Sequence, residues 1–207
     1  MLDIKGLTSS FIQRWRTSSF ADNDQAPWHL VGNIEELLRQ QIAGLDSSYQ
    51  RVDEVAVHRT ARIEAGAVVK GPAIIGPNCF IAAGAYLRGG VYLERDCIIG
   101  PASELKTTVM FAGSKLAHLN FVGDSIIGAD VNIEAGAIIA NHRNEWEDRN
   151  ICIVYHEQVI DTGVDKFGAL VGDGSRIGAN AVIAPGALLE RGSIVGRLQL
   201  IDQKPED

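Results

Sequence analysis

Aliphatic residues recur every six positions along most of this chain, a period that neither an α-helix nor an ordinary strand possesses. Val57, Ile63, Val69, Ile75, Ile81, Leu87, Leu93, Ile99 and Leu105 form an unbroken comb, which Phe111 continues. A second comb runs through Ile127, Ile133 and Ile139, and a third through Val171, Ile177, Ile183, Leu189, Val195 and Ile201. Four residues after most of these teeth stands a small or β-branched residue, as at Ala61, Ala67, Cys79, Ala85, Cys97, Val131, Ala137, Ser175 and Ala181. A chain that obeys two positions at once over so many consecutive units has to coil on itself. Each unit makes one short side of a triangular prism, and three units make one coil. The aliphatic tooth points inward and the small residue fits where the chain turns the corner. Low aromatic content, 6%, suits such a narrow interior. Equivalent residues on successive coils then stack at about 4.8 Å. Cys79 and Cys97 form such a pair and read as reduced core thiols rather than a metal or disulfide site.

This comb resembles the hexapeptide repeat of the left-handed parallel β-helix. The fold expected is all-β: a β-helix over residues 51–201, a helical appendage and linker over 1–50, an inserted hairpin or lid over 142–165, and a tail over 202–207. The length of 207 residues allows one main domain with an appendage. A net charge of −7 with no basic run opposes binding to phosphate backbones, so nucleic acid is not an expected partner. Apolar residues are too dispersed for a membrane span, and the start lacks the apolar core of a signal peptide. Three cysteines without a CxxC pair fit a reducing compartment, so a cytoplasmic protein is expected.

In the appendage, Asn33 is placed to cap a helix over 33–43, with Glu36 three residues on and Ile34, Leu37, Leu38 and Ile42 sharing a face. Thr8 to Arg16 reads as a second helix and Ser18 to Pro27 as a linker. The comb breaks twice. Around His118 the steps Phe111 to Leu116 and Val122 to Ile127 span five residues, which predicts an out-of-phase unit and a local bulge. Between Ile139 and Val171 the hexads vanish. There Ile151 to Tyr155 and Gln158 to Ile160 read as two strands of a projecting hairpin around His156 and Glu157.

The stretch Gly113-Ser114-Lys115-Leu116-Ala117-His118-Leu119-Asn120-Phe121-Val122-Gly123-Asp124, with Glu104-Leu105-Lys106 before it and Asn132-Ile133-Glu134-Ala135-Gly136-Ala137 and Asn141 after it, resembles the C-terminal acyltransferase domain of sugar-1-phosphate nucleotidyltransferases. The likeness extends to glucosamine-1-phosphate N-acetyltransferase activity and, through Lys166-Phe167-Gly168, to the archaeal-type branch. It implies an acetyl-coenzyme A-dependent N-acetyltransferase acting on an amino-sugar 1-phosphate or related sugar nucleotide, working without a metal as a homotrimer with sites between prisms. His118 is implied as general base: an amine attacks a thioester only as the free base, and an imidazole is suited to take its proton. Arg88 and Lys106 are implied as sugar-phosphate contacts, Asn132 and Asn141 as contacts to the sugar and its amino group, and Lys166 as a residue facing the acceptor from a neighbouring subunit. Ala179 and Arg197 fall on the coenzyme A channel.

There are departures from the family pattern. Phe121 stands where the compared acetyltransferases have Tyr, Arg197 fills a slot for a small residue, and the comb thins after Val195, which predicts weak coenzyme A binding. No Gly-rich nucleotide-binding signature precedes residue 27, so nucleotidyltransferase activity is not expected of this chain, and a separate nucleotidyltransferase is a candidate partner. The rival reading is a non-catalytic trimerising or regulatory module. A γ-class carbonic anhydrase would need three His ligands, and no HxxxxH spacing is present.

Overall fold

The computed structural model describes residues 4 and 6–203; the end of the expected tail, from residue 204, lies outside them. From Val55 onward the chain winds as a left-handed parallel β-helix with three flat faces. The first face begins at Val55–His58, the second at Arg62–Ile63 and the third at Val68–Val69. Val55, Ala73 and Val91 pair in parallel register on the first, and Arg62, Phe80 and Ile98 on the second. On the third, Val68, Tyr86 and Glu104 do the same. The teeth Ile75, Ile81, Leu87, Leu93, Ile99 and Leu105 are fully buried in one interior cluster, joined by Cys79, Ala85 and Cys97. Each large aliphatic side chain so buried contributes about 1.5–3 kcal/mol. Both cysteines are free thiols, as is Cys152 in the inserted hairpin.

One tooth differs from the expectation. Met110, not Phe111, follows Leu105 into the interior, and Phe111 faces outward into a second core beneath the N-terminal helices. The cause is the corner between the third and first faces. Gly89 and Gly90 turn it with two residues, whereas Thr107 (φ 52) and Asp124 (φ 45) each turn it alone. The register therefore shifts between Arg88 and Val91, which pair with Lys106 and Thr108. The irregularity lies there and not at His118. His118's own unit is in phase, with Lys115 and Leu116 pairing with Ile98 and Ile99 on one side and Asn132 and Ile133 on the other.

The first face is covered by the N-terminal segment. Helix α1 is Leu7–Phe11, and a 3-10 turn follows over Gln13–Thr17. The helix expected through Arg16 is broken at Ile12, whose backbone is extended and whose side chain is fully buried. Burial of Ile12 outweighs helix continuity. Helices α2 (Pro27–Gly32) and α3 (Ile34–Gly44) meet at Asn33. Asn33 does not cap α3 with its side chain; its Nδ2 donates to Gln25 Oε1 at 3.0 Å, because its backbone still closes α2 onto His29 and Leu30. The segment expected as linker buries Phe20 between Trp15 and Tyr92, at ring separations of 5.9 and 5.0 Å. Trp15, Phe20 and Trp28 thus lie in one core with Ile74, Val109, Phe111 and Ile126. Gly90 (φ 88) sits so close under α3 that a Cβ would be 2.7 Å from Ile34.

The insert between Ile139 and Ala169 contains the two expected strands, Cys152–Tyr155 and Gln158–Asp161, paired antiparallel. They do not project. Ile151 and Ile153 are fully buried in the outer core with Phe167, Leu170 and Leu188, so the hairpin lies flat on the first face. The insert is closed at its neck, where Phe167 N–H donates to Asn141 O at 3.1 Å. Among the described residues the third face has no such cover. Its outward column includes Val68, Ile138, Val182 and Leu200, which remain 39–61% exposed.

Candidate functional site

Two edges of the third face carry the polar chemistry. At its corner with the first face, Arg88 and Lys106 stand side by side in the parallel register. Each is paired with a carboxylate: Arg88 Nη2 with Glu104 Oε1 at 2.7 Å, and Lys106 Nζ with Asp124 Oδ2 at 2.7 Å. Asn141 donates through Nδ2 to the same Asp124 oxygen. Gly123 makes this approach possible, since a Cβ there would sit 2.8 Å from Asn141 Cγ and 2.9 Å from the ring of Phe121. Asp124 is held in turn by its own carbonyl, which accepts Gly168 N–H at 2.8 Å from the far side of the insert. A cleft of about 460 Å³ opens here between helices α2 and α3 and the corner, lined by Trp28, Val31, Thr107, Asp124, Val164 and Lys166.

His118 occupies the opposite edge, at the corner of the second and third faces, and is exposed. Its carbonyl accepts Gly136 N–H at 3.0 Å; further along the same edge Ala135 O accepts Asn180 N–H and Ala179 O accepts Leu198 N–H, both at 3.0 Å. This ladder aligns His118, Ala135, Ala179 and Arg197 on successive coils. Arg197 folds back across Ala179, donating from Nε and Nη2 to Glu134 at 2.9 and 3.1 Å. Glu134 also accepts Ala179 N–H at 2.8 Å. The guanidinium, helped by that backbone N–H, holds the Glu134 carboxyl below its ordinary pKa. Asn132 pairs with Lys115 and Arg176 on the second face and shares a crevice of about 290 Å³ with Glu134, Arg176 and Arg197.

Within one chain, then, Arg88, Lys106, Asn141 and Lys166 gather at one edge. His118, Ala179 and Arg197 line the other, with Asn132 beside it on the second face. Three polar residues went unassigned in the sequence: Glu104, Asp124 and Glu134 are the carboxylates that pair with Arg88, Lys106 and Arg197. The available signal was spacing, since Asp124 lies 18 residues beyond Lys106.

The bacterial transferase hexapeptide family (six repeats) matches residues 54–89 and 72–107, and the hexapeptide repeat of succinyl-transferase matches 168–196. The uncharacterized acetyltransferase YaiX of Escherichia coli K12 is 31% identical over 191 residues, covering 85% of this chain and 82% of that protein. The bifunctional sugar-1-phosphate nucleotidylyltransferase/acetyltransferase of Sulfurisphaera tokodaii is 31% identical over 188 residues. That match covers 83% of this chain and 45% of the relative, so the chain spans less than half its length. A crystal structure of AntD, an N-acyltransferase from Bacillus cereus in complex with dTDP and 3-hydroxybutyryl-CoA, aligns over 73% of this chain and 71% of that one, at 18% identity and a TM-score of 0.38. The matched repeats and the YaiX alignment define the bacterial transferase hexapeptide family. The chain belongs to that family.

Proposed function

We propose that this protein is an acetyl-coenzyme A-dependent N-acetyltransferase whose acceptor is an amino-sugar 1-phosphate or a related sugar nucleotide, with His118 as general base. The acceptor amine attacks the thioester carbonyl, forming the N–C bond as the C–S bond breaks. His118 takes the amine proton and returns it to the departing thiolate, giving the amide and free coenzyme A. The supporting observation is the division of the polar residues between two edges of one uncovered apolar face. A homotrimer that turns its third faces toward a threefold axis buries that face. It also sets the His118 edge of one copy against the Lys106, Asn141 and Lys166 edge of the next, completing a site that no single chain contains. One observation favours a non-catalytic module: the Arg197 side chain crosses Ala179, on the edge along which coenzyme A would run.

Mixing tests the reading. His118→Ala and Lys166→Ala are each impaired alone, assayed at low acceptor concentration. Unfolded together and refolded as mixed trimers, they regain about one quarter of wild-type activity, the fraction of interfaces that random assortment leaves intact. No regain places both residues in one chain's site and refutes the shared-site arrangement.

A further inference from the structure

The Asp124 corner holds hydrogen-bonding capacity that its own contacts do not use. Asp124 is only 6% exposed, and its Oδ2 accepts from both Lys106 and Asn141. Its Oδ1 has no hydrogen bond among the described residues, and the residue borders the cleft below α2 and α3. That oxygen is not sealed from solvent, so it is an acceptor that a bound donor can reach. Asn141 has its orientation fixed by the same contact: because Nδ2 faces Asp124, its carbonyl oxygen faces away as a second acceptor. An open carboxylate oxygen on the cleft matches a group rich in N–H donors. It repels a phosphate, which offers acceptors only. Both cations at this corner are already paired, Lys106 with Asp124 and Arg88 with Glu104, whereas Lys166 on the same cleft has no carboxylate partner among the described residues.

We propose that Asp124 is a further acceptor-binding residue, the one that receives the substrate's amino group, with the substrate's phosphate lying toward Lys166. This rests on the acyltransferase reading above and deepens it: the site selects an amine-bearing sugar over its hydroxyl counterpart before any chemistry occurs.

Calorimetry at neutral pH with glucosamine 1-phosphate and glucose 1-phosphate, without coenzyme A, tests it. The wild type is expected to bind the amino sugar about tenfold or more tightly than the hydroxyl sugar, the range for a hydrogen bond to a charged group. Asp124→Asn reduces that ratio to about threefold or less, while glucose 1-phosphate binds as well or better because Lys106 is no longer neutralised. Lys106→Met, which keeps the carboxylate and leaves it unneutralised, raises the amine preference, and it serves as the deciding variant should Asp124→Asn not fold. An unchanged ratio in Asp124→Asn, or one that does not rise in Lys106→Met, overturns the inference. A wild type that binds both sugars equally overturns it alone; a wild type that binds neither overturns the acyltransferase reading as well.

Discussion

Arg143, at the start of the insert, offers a quantitative test of how the insert is fastened to the prism. Its side chain is 2% exposed, yet it carries a guanidinium. Nη2 donates to Asp202 Oδ1 at 2.5 Å and to Pro185 O at 3.1 Å, Nη1 reaches Glu145 at 3.2 Å, and the Trp146 ring lies 4.4 Å from the guanidinium carbon. Burial opposes the charge, but the hydrogen bonds to Asp202 and Glu145 outweigh it and raise the pKa above the ordinary value. Removing one partner of a buried pair costs about 3–5 kcal/mol because a charge is left uncompensated. Asp202 is 16% exposed and the wet Glu145 remains as a weaker partner, so Asp202→Ala should cost less, about 2–3 kcal/mol. Arg143→Met removes the charge itself and keeps an aliphatic stem against Trp146, which costs about 1 kcal/mol. The double variant should therefore be more stable than Asp202→Ala alone. Urea unfolding followed by tryptophan fluorescence measures this; with a slope of about 2 kcal/mol per molar, Asp202→Ala lowers the midpoint by about 1 M. A midpoint unchanged by Asp202→Ala, or a double variant weaker than the single, would refute the reasoning.

Three further outcomes are expected. Replacing His118 by Ala lowers turnover by about 10²–10⁴-fold while leaving the sedimentation coefficient unchanged. Arg197→Ala clears the edge above Ala179 and tightens acetyl-coenzyme A binding severalfold by calorimetry; weaker binding would instead make Arg197 a contact for a coenzyme phosphate. Phe111→Ala costs about 3–5 kcal/mol and shifts the emission of Trp15, whose ring lies 6.0 Å away, whereas Met110→Ala costs about 2–5 kcal/mol and leaves that emission unmoved. A Trp15 shift in the Met110 variant would contradict the inward assignment of that side chain.

The interior was legible because its chemistry repeats: a narrow prism admits one aliphatic and one small residue per side, and Ile75 through Leu105 obey this without exception. The rule lapsed where two adjacent apolar residues, Met110 and Phe111, could each take the inward place. The choice was made by a corner turned at Thr107 alone, and a left-handed threonine leaves no mark in composition. In the appendage, Ile12 and Asn33 followed tertiary burial and a neighbouring helix rather than local helix signals. At the site, Lys106 and Asn141 were reachable through resemblance to a family. Asp124 was not assigned, since an acid after glycine reads equally as corner chemistry, and only the side-chain contacts make it the hub of the cluster. The resemblance implied that Lys166 comes from a neighbouring subunit; that His118 and Lys166 stand on opposite edges of the third face within one chain follows from the winding of the coils.

Acyl transfer is the central claim, and the most direct measurement of it is thiol release from acetyl-coenzyme A in the presence of glucosamine 1-phosphate, galactosamine 1-phosphate and simple amines. Thiol is expected one for one with N-acetylated sugar, faster for an amino-sugar phosphate than for simple amines, and lost in His118→Ala. Release no faster than without protein for every acceptor, at millimolar acetyl-coenzyme A, would contradict it.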